Sequence, residues 1–273
     1  MNKFKKLSIP YIIWMGILIL IPLALMLLLS VLSINYFEFD SASFSLAHLN
    51  TVFSKANLDA TLLSTKLALL ATIGSLIIGY PVAYIVSNLK TKYKFFILLL
   101  FIVPMWTNLL LRVETINRLL QPAGLLNNMF GISIDLSGTQ TAVILTMILI
   151  YIPFMIFPIY TVLEKTDKGL IEAANDLGAG PIKTFLKVTL PLSAKGITSG
   201  VTMVFLPCAM GFTIPYIVSN GNMQLIGNII ERYFKDGTGQ FNIGSSISLL
   251  LMIVVFAALF LMMKIDEEGE MLI

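Results

Sequence analysis

Long apolar runs dominate the chain and alternate with short polar segments. A hydrocarbon layer of about 30 Å is crossed by a helix of roughly 20 apolar residues, and six runs approach or exceed that length. The runs are continuous rather than alternating in polarity, which favours helices over a β-barrel. The pattern predicts an all-α membrane protein, one transmembrane domain over residues 1–273. Its six transmembrane helices cover residues 12–33, 61–87, 95–111, 141–162, 196–218 and 244–264.

The composition agrees with a membrane-embedded chain. Hydrophobic residues make up 57% of the 273 positions and charged residues only 12%, whereas a soluble domain carries about 25% charged residues. Lys3, Lys5 and Lys6 precede the first run, as in a secretory signal. That run is too long for the apolar region of a signal and has no small-x-small cleavage site. We therefore expect it to remain in the membrane as a helix.

The basic residues predict the orientation. With the N-terminus inside, the segments assigned to the cytoplasm hold most of the 18 Lys and Arg residues, as the positive-inside rule requires. The polar segment 164–195 and the C-terminal tail 266–273 are then cytoplasmic. The loops 34–60, 112–138 and 218–243 face outwards.

The sequence carries no sign of enzyme chemistry. A single cysteine and a single histidine exclude a disulfide framework and a multi-histidine metal site. P-loop, HExxH and Gly-x-Ser-x-Gly motifs are absent. We expect a non-catalytic chain without a metal or a bound cofactor. The six runs also contain no acidic residue, which disfavours a proton- or sodium-coupled carrier, since such carriers normally need an intramembrane carboxylate.

Prolines and a glycine cluster in the fourth and fifth runs. Proline removes a backbone donor and bends a helix, and freed carbonyls are tolerated at membrane depth where they face protein or a watery cavity. We interpret these positions as kinks in helices that line a translocation path. Ordinary kinking is the alternative, because both residue types are frequent in spanning helices. The positions are Pro153, Pro158, Pro207, Gly211 and Pro215.

The segment 164–195 interrupts the apolar pattern with a polar hairpin. Thr166 or Asp167 can cap a short helix over about 168–177, which Gly178 ends in a left-handed conformation. Pro181 then starts a second helix, and Leu190-Pro191 closes the hairpin.

The first hairpin helix has one apolar stripe at helical spacing, formed by Leu170, Ile171, Ala174 and Leu177. A helix of two turns is not stable alone. We therefore predict that it docks into a groove of a cytoplasmic partner.

The residues of the hairpin follow a regular spacing: Glu172-Ala173-Ala174 is followed after three residues by Gly178, after nine more by Val188, and then by Leu190-Pro191. This spacing resembles the EAA motif of permease subunits of ATP-driven (ABC) importers. The resemblance implies a MetI-like permease fold whose hairpin is the coupling helix, seated in a cleft of an ATPase subunit. ATP and Mg would then be bound by that ATPase. The implied coupling residues are Leu170, Ile171, Glu172, Ala173, Ala174, Leu177, Gly178, Leu190 and Pro191.

Further stretches resemble the first permease subunit of the spermidine/putrescine branch of that family. They are Gly79-Tyr80-Pro81-Val82-Ala83, residues 102–108, Leu163-Glu164-Lys165 and Asp176-Leu177-Gly178-Ala179. The resemblance implies a bacterial cytoplasmic membrane location and a heterodimer with a second permease subunit. It also implies two copies of an ABC ATPase, an extracytoplasmic polyamine-binding protein and no nucleic acid.

Polyamines carry several ammonium groups, which bind to carboxylates, aromatic faces and amide oxygens. Candidate path residues of these types are Trp106, Asn108, Glu114, Tyr151, Phe212 and Tyr216. Each also has a structural interpretation. Trp106 fits an interfacial belt, Asn108 fits a bond between helices, and Glu114 could pair with Arg112 or Arg118. The three other aromatic residues fit packing.

Three functional alternatives remain at this point: an ABC permease for another small solute, a secondary carrier or channel subunit, and a membrane-anchored scaffold or insertase.

Overall fold

The computed structural model describes residues 2–33, 43–122, 124, 131, 135–235 and 240–270, and leaves aside the side chains of residues 2–8, 33, 91 and 261–270. The described chain is mostly helical. In chain order the elements are α1 (Asn2–Val31), β1 (Leu32–Ser33), β2 (Ser43–Phe44), α2 (Leu49–Val52), α3 (Lys55–Asn88), α4 (Thr91–Met105), α5 (Leu109–Leu120), α6 (Gln140–Lys165), α7 (Lys168–Asp176), α8 (Pro181–Thr184), a π-helical segment (Phe185–Thr189), α9 (Leu190–Leu192), α10 (Ala194–Met210), α11 (Thr213–Val218), α12 (Ile226–Lys235) and α13 (Phe241–Glu270). The two short strands pair antiparallel, Leu32 with Phe44 and Ser33 with Ser43.

The described helices supply four to six candidate membrane spans. Four stretches are long and apolar enough by themselves: Ile9–Val31, Lys55–Asn88, Gln140–Lys165 and Phe241–Phe260. Two further spans are bent pairs, in which Lys92–Met105 meets Leu109–Leu120 at 98° and Pro181–Leu192 meets Ala194–Met210 at 64°. The prediction of an all-α membrane architecture is confirmed.

The third predicted run, 95–111, is broken near its outer end. Helix α4 stops at Met105, and residues 109–111 belong to α5, which leaves at a sharp angle. Asn108 causes the break, because its side-chain oxygen accepts a hydrogen bond of 2.8 Å from the backbone N–H of Leu110. Asparagine favours such a capping position over a helix interior.

The fifth predicted run, 196–218, is also interrupted. Helix α10 ends at Met210, and Gly211 is extended with ψ 137° while its N–H donates to the carbonyl of Pro207 at 2.9 Å. A Cβ at position 211 would lie 2.5 Å from that carbonyl oxygen. Only glycine fits at this break. After it, the chain continues to Val218 as a second, short helix.

The chain divides into two compact units. The first contains Met1–Thr61 and Ile226–Val254. Within it, His48 is buried and its Nε2 lies 2.7 Å from the carbonyl oxygen of Ser30 and 3.0 Å from Oγ of Ser246. These bonds tie the end of α1 to the start of α13.

The second unit contains Leu62–Leu225 and Val255–Ile273, with α3, α6 and α10 at its centre. Glycines allow the helices to approach closely. A Cβ on Gly200 would lie 2.8 Å from Sδ of Met155, and one on Gly196 would lie 2.9 Å from Cα of Ile159. Helix α6 is therefore held against α10 backbone to backbone. The single domain predicted over residues 1–273 stays a prediction, since α3 and α13 each contribute to both units.

Candidate coupling hairpin and translocation path

The first limb of the hairpin is a capped helix that ends in a glycine turn. The Asp167 carboxylate accepts a hydrogen bond of 2.9 Å from the N–H of Gly169, so Asp167 rather than Thr166 is the N-cap of α7. Gly178 follows the helix with φ +78°, and the N–H of Ala179 donates to the carbonyl of Ala174 at 3.1 Å. Non-glycine residues rarely adopt this left-handed conformation. The glycine thus turns the chain within one residue.

The apolar stripe on α7 has little cover from the rest of the chain. No residue of this helix is buried. Leu177 is 90% exposed and Leu170 is 48% exposed, while Ile171 and Ala174 are half-buried. Glu172 and Ala173 are exposed.

The second limb adds apolar residues that the sequence interpretation missed. Ile182 is 77% exposed and Leu186 is 54% exposed, and both border an open groove of about 460 Å³ together with Lys183 and Lys187. The four-residue spacing between Ile182 and Leu186, just after Pro181, was the signal in the sequence that could have revealed them. Leu177, Ile182 and Leu186 are called the tip of the hairpin below.

The hairpin ends differently from the prediction. Leu190 and Pro191 do not close it: they lie in α9 and are half-buried, and the chain stays helical until the bend at Ser193. Proline is accommodated there because it stands in the first turn of its helical piece, where its missing N–H costs little. Thr184 joins the two limbs, since its hydroxyl donates to Oδ1 of Asn175 at 3.1 Å.

An ion pair that sequence reasoning missed fastens the first limb. Nζ of Lys94 lies 2.8 and 2.7 Å from the two carboxylate oxygens of Glu164. Lys94 is only 9% exposed. The pair joins the beginning of α4 to the end of α6, where the hairpin starts. Seventy residues separate the partners, so no local pattern could reveal it.

Several predicted path residues meet at the broken helix. Tyr151 and Phe212 line one cavity of about 260 Å³, together with Pro207, Gly211 and Pro215. The cavity brings two aromatic rings beside a backbone break. Such a combination offers π faces and carbonyl oxygens to a cation.

The remaining path candidates lie elsewhere. Trp106 is 83% exposed and Tyr216 is 60% exposed. Asn108 caps α5 rather than bonding to another helix. Glu114 pairs with Arg118 at 2.9 Å, the second of its two predicted partners.

Arg112 and Pro153 line a separate cavity of about 560 Å³, where the buried Nε of Arg112 has no hydrogen-bond partner among the described residues. Helix α6 runs without interruption through Pro153 and Pro158. The kinks predicted at these two prolines stay predictions.

Parts of the predicted outer loops lie outside the described residues, namely 34–42, 123, 125–130, 132–134 and 236–239. The same holds for residues 271–273 of the predicted cytoplasmic tail.

Comparison with known proteins decides the family. The model of the binding-protein-dependent transport system inner membrane components matches residues 1–265. The chain belongs to this family. It is therefore a transport permease subunit of the inner membrane. Permeases of this family are non-catalytic membrane subunits.

Relatives and solved structures agree with this assignment. The chain is 32% identical to the spermidine/putrescine transport system permease protein PotB of Haemophilus influenzae over 97% of this chain and 95% of that protein. It is 32% identical to PotB of Escherichia coli K12 over 89% and 90% of the two chains. Its fold matches that of a bacterial ABC transporter involved in the import of alginate, with a TM-score of 0.78, 17% identity, and coverage of 97% and 95%.

Proposed function

We propose that this chain is the membrane-spanning permease subunit of an ATP-driven importer of spermidine and putrescine. The observation that carries the proposal is the 32% identity with the Haemophilus influenzae PotB protein over 97% of this chain. The chain would form half of the translocation path. A second permease subunit would form the other half.

The hairpin is the part of this chain that would dock to the ATPase and be moved by it. Its exposed tip and the half-buried stripe residues Ile171 and Ala174 offer apolar surface to a groove on an ATPase subunit. The exposed carboxylate of Glu172 adds one charged contact. Docking would remove the apolar area from water, which stabilises the contact by about 25 cal/mol for each Å² buried. ATP and Mg would be bound by two copies of that ATPase, whose closure pulls on the hairpin.

The cavity at Tyr151 and Phe212 is the proposed passage for a polycation. The predicted spans contain no carboxylate, so a spermidine molecule crossing them meets no strong trap. Aromatic faces contribute about 0.5–2 kcal/mol per cation contact, which is enough to guide an ammonium group and weak enough to release it. Trp106 and Tyr216 are the exposed aromatic residues that would extend the path.

An extracytoplasmic polyamine-binding protein would deliver the substrate to the outer loops 34–60, 112–138 and 218–243. Both termini would face the cytoplasm. The distribution of basic residues supports this orientation, because positive loops are retained inside.

The test is uptake of labelled spermidine by cells that lack other polyamine importers. Cells would express the neighbouring subunits with or without this chain. Unlabelled putrescine, amino acids and inorganic anions would serve as competitors. We expect saturable uptake that requires the chain and is blocked by polyamines alone. If an amino acid or an anion blocked uptake instead, the assigned substrate would be wrong, while the assignment as an importer subunit would stand.

A further inference from the structure

The second limb of the hairpin contacts α3 through one small set of side chains, two of them buried and two half-buried. These are Tyr80 and Tyr84 on α3, Phe185 in the π-helical segment and Ser193 at the bend, and we call this set the joint. Tyr80 is 8% exposed and Ser193 is fully buried. The joint lies where the hairpin limb turns by 64° into α10.

The π-helical segment brings Phe185 and Ser193 onto one face of the limb. An α-helix turns about 100° per residue, so eight residues would leave the two side chains about 80° apart. A π turn takes up one additional residue, which reduces the offset to roughly 20°. Both residues can then reach the same side of α3. The local irregularity has a packing consequence that a regular helix would lack.

The contacts within the joint are specific in geometry. The Phe185 ring meets Tyr80 and Tyr84 edge to face, each with a centroid distance of 5.7 Å and interplanar angles of 87° and 83°. The two tyrosines are four residues apart, so they stand one above the other on the same face of α3. Phe185 is thereby held by both rings.

A buried hydrogen bond completes the joint. The Tyr80 hydroxyl lies 2.8 Å from Oγ of Ser193. The Ser193 hydroxyl itself donates to the carbonyl of Leu190 at 2.9 Å, so its single proton is used. Tyr80 is therefore the donor to Ser193. The bond links α3 to the residue at which the limb bends.

The attachment point on α3 has a low intrinsic helix propensity. Tyr80 stands between Gly79 and Pro81. Proline cannot supply the N–H that would bond to the preceding turn, and glycine has the least intrinsic helix stability among ordinary residues. A displacement applied at Tyr80 therefore acts beside a missing backbone hydrogen bond, where a helix bends more easily.

We propose that the joint transmits movement of the docked hairpin to α3, with Tyr80 as the positioning residue that keeps limb and helix in register. This inference rests on the proposed function, because it requires an ATPase to move the hairpin. The tip receives the displacement, the limb of α8 to α9 carries it, and the Tyr80–Ser193 bond passes it to the transmembrane helix. Loss of the bond uncouples ATP hydrolysis from transport without releasing the ATPase.

The test uses the full complex, with both permeases, the ATPase and the binding protein, in proteoliposomes loaded with ATP on the hairpin side. Tyr80→Phe keeps the ring and its contact with Phe185 and removes only the hydroxyl. Tyr84→Phe is the matched control, since the Tyr84 hydroxyl forms no hydrogen bond among the described residues. Spermidine uptake, ATP hydrolysis and the amount of bound ATPase would be measured together.

We expect Tyr80→Phe to lower the spermidine transported per ATP about fivefold, the effect of one buried hydrogen bond, with normal ATPase content. Ser193→Ala should do the same, and the double variant should be no worse than either single one, because both remove one interaction. Tyr84→Phe should behave as wild type.

An unchanged ratio of spermidine transported per ATP in Tyr80→Phe, or an equal loss in Tyr84→Phe, would overturn the proposed role of the joint. Wild-type vesicles that hydrolyse ATP and accumulate no spermidine would contradict the proposed function itself, on which the joint depends.

Discussion

The tip and the root of the cytoplasmic hairpin are built in opposite ways. The tip presents apolar side chains to the outside, with Leu177 90% exposed and Ile182 77% exposed. The root, formed by Lys94, Glu164 and the joint, is held by hydrogen bonds and an ion pair, and Lys94, Tyr80 and Ser193 are buried. A surface of exposed leucine and isoleucine is costly in water. Its presence beside a bonded root supports the proposal that the tip docks to a partner chain, whereas the contacts of the root lie within this chain.

This contrast separates two kinds of variant. A change at the tip should alter association with the ATPase and leave the folded chain as stable as before. A change at the root should alter stability or the transmission of movement and leave association intact. Four substitutions test the separation.

The largest effect is expected for Glu172→Lys. The carboxylate is exposed on α7, and a reversed charge at a docked surface costs several kcal/mol. We expect spermidine uptake to fall below about a tenth of the wild-type rate, with a normal amount of the chain in the membrane. Uptake in cells and immunoblots of membrane fractions would measure this.

Glu172→Gln is the companion variant, because it keeps the size of the side chain and removes the charge without reversing it, and it should lower uptake less than Glu172→Lys. Normal uptake by a well-expressed Glu172→Lys variant would remove Glu172 from the coupling surface.

Leu177→Ala should come next and should affect binding alone. The side chain has almost no contact to lose in the isolated chain, so stability should change by less than about 0.5 kcal/mol. Burial of a leucine on docking is worth about 1.5–3 kcal/mol, and we expect the Kd for the purified ATPase to rise roughly tenfold. Binding titrations and melting curves in the same detergent separate the two quantities. A lower Tm with unchanged Kd would reverse our assignment of Leu177 to the tip.

Glu164→Gln should act on the root. The variant replaces the carboxylate that accepts hydrogen bonds from the buried Lys94 with a neutral amide. We therefore expect the free energy of unfolding to fall by about 1–2 kcal/mol. The Kd for the ATPase should not change. Glu114→Gln is the matched control: its partner Arg118 has a side chain that is 74% exposed, and exposed pairs contribute about 0–1 kcal/mol. Equal Tm shifts in the two variants would show that the Lys94–Glu164 pair is no stronger than a surface pair.

Gly178→Ala should give the smallest change. An alanine at φ +78° costs about 1 kcal/mol, which frays the end of α7 beside the tip. We expect trypsin to cleave the variant after Lys183 about fivefold faster than the wild type. Digestion time courses would measure this rate. Gly180→Ala is the control, because its φ is −69° and a Cβ there meets no atom within 4 Å. Identical rates for both variants would mean that the left-handed turn does not hold the hairpin.

The sequence anticipated the backbone of the first limb closely. Asp167 and Gly178 act through their immediate neighbours, one by accepting from an N–H two residues on and the other by adopting a left-handed conformation. Such effects are local and can be inferred from residue type. The prediction missed the breaks within the third and fifth runs for a related reason. Hydropathy is insensitive to a break of two or three residues, although Asn108 and Gly211 were present in the sequence as capping and turn residues.

The root could not be predicted in this way. Lys94 and Glu164 each look like ordinary cytoplasmic charges, and Tyr80 and Ser193 are 113 positions apart. The cavity at Tyr151 and Phe212 likewise needs α6 packed against the break after α10. Ile182 and Leu186 stand between these two cases. Their spacing could be recognised in the sequence, but the exposure of their side chains could not.

The membrane class, the helical architecture, the hairpin and the family can all be inferred from the residues in order, because each depends on composition, on spacing within one segment or on similarity along the chain. The breaks in the spans, the pairing of charges and the attachment of the hairpin to α3 and α4 follow only from the folded arrangement. Those features depend on side chains that are distant in the sequence, and only close packing of α3, α6 and α10 brings them within a few ångströms of each other.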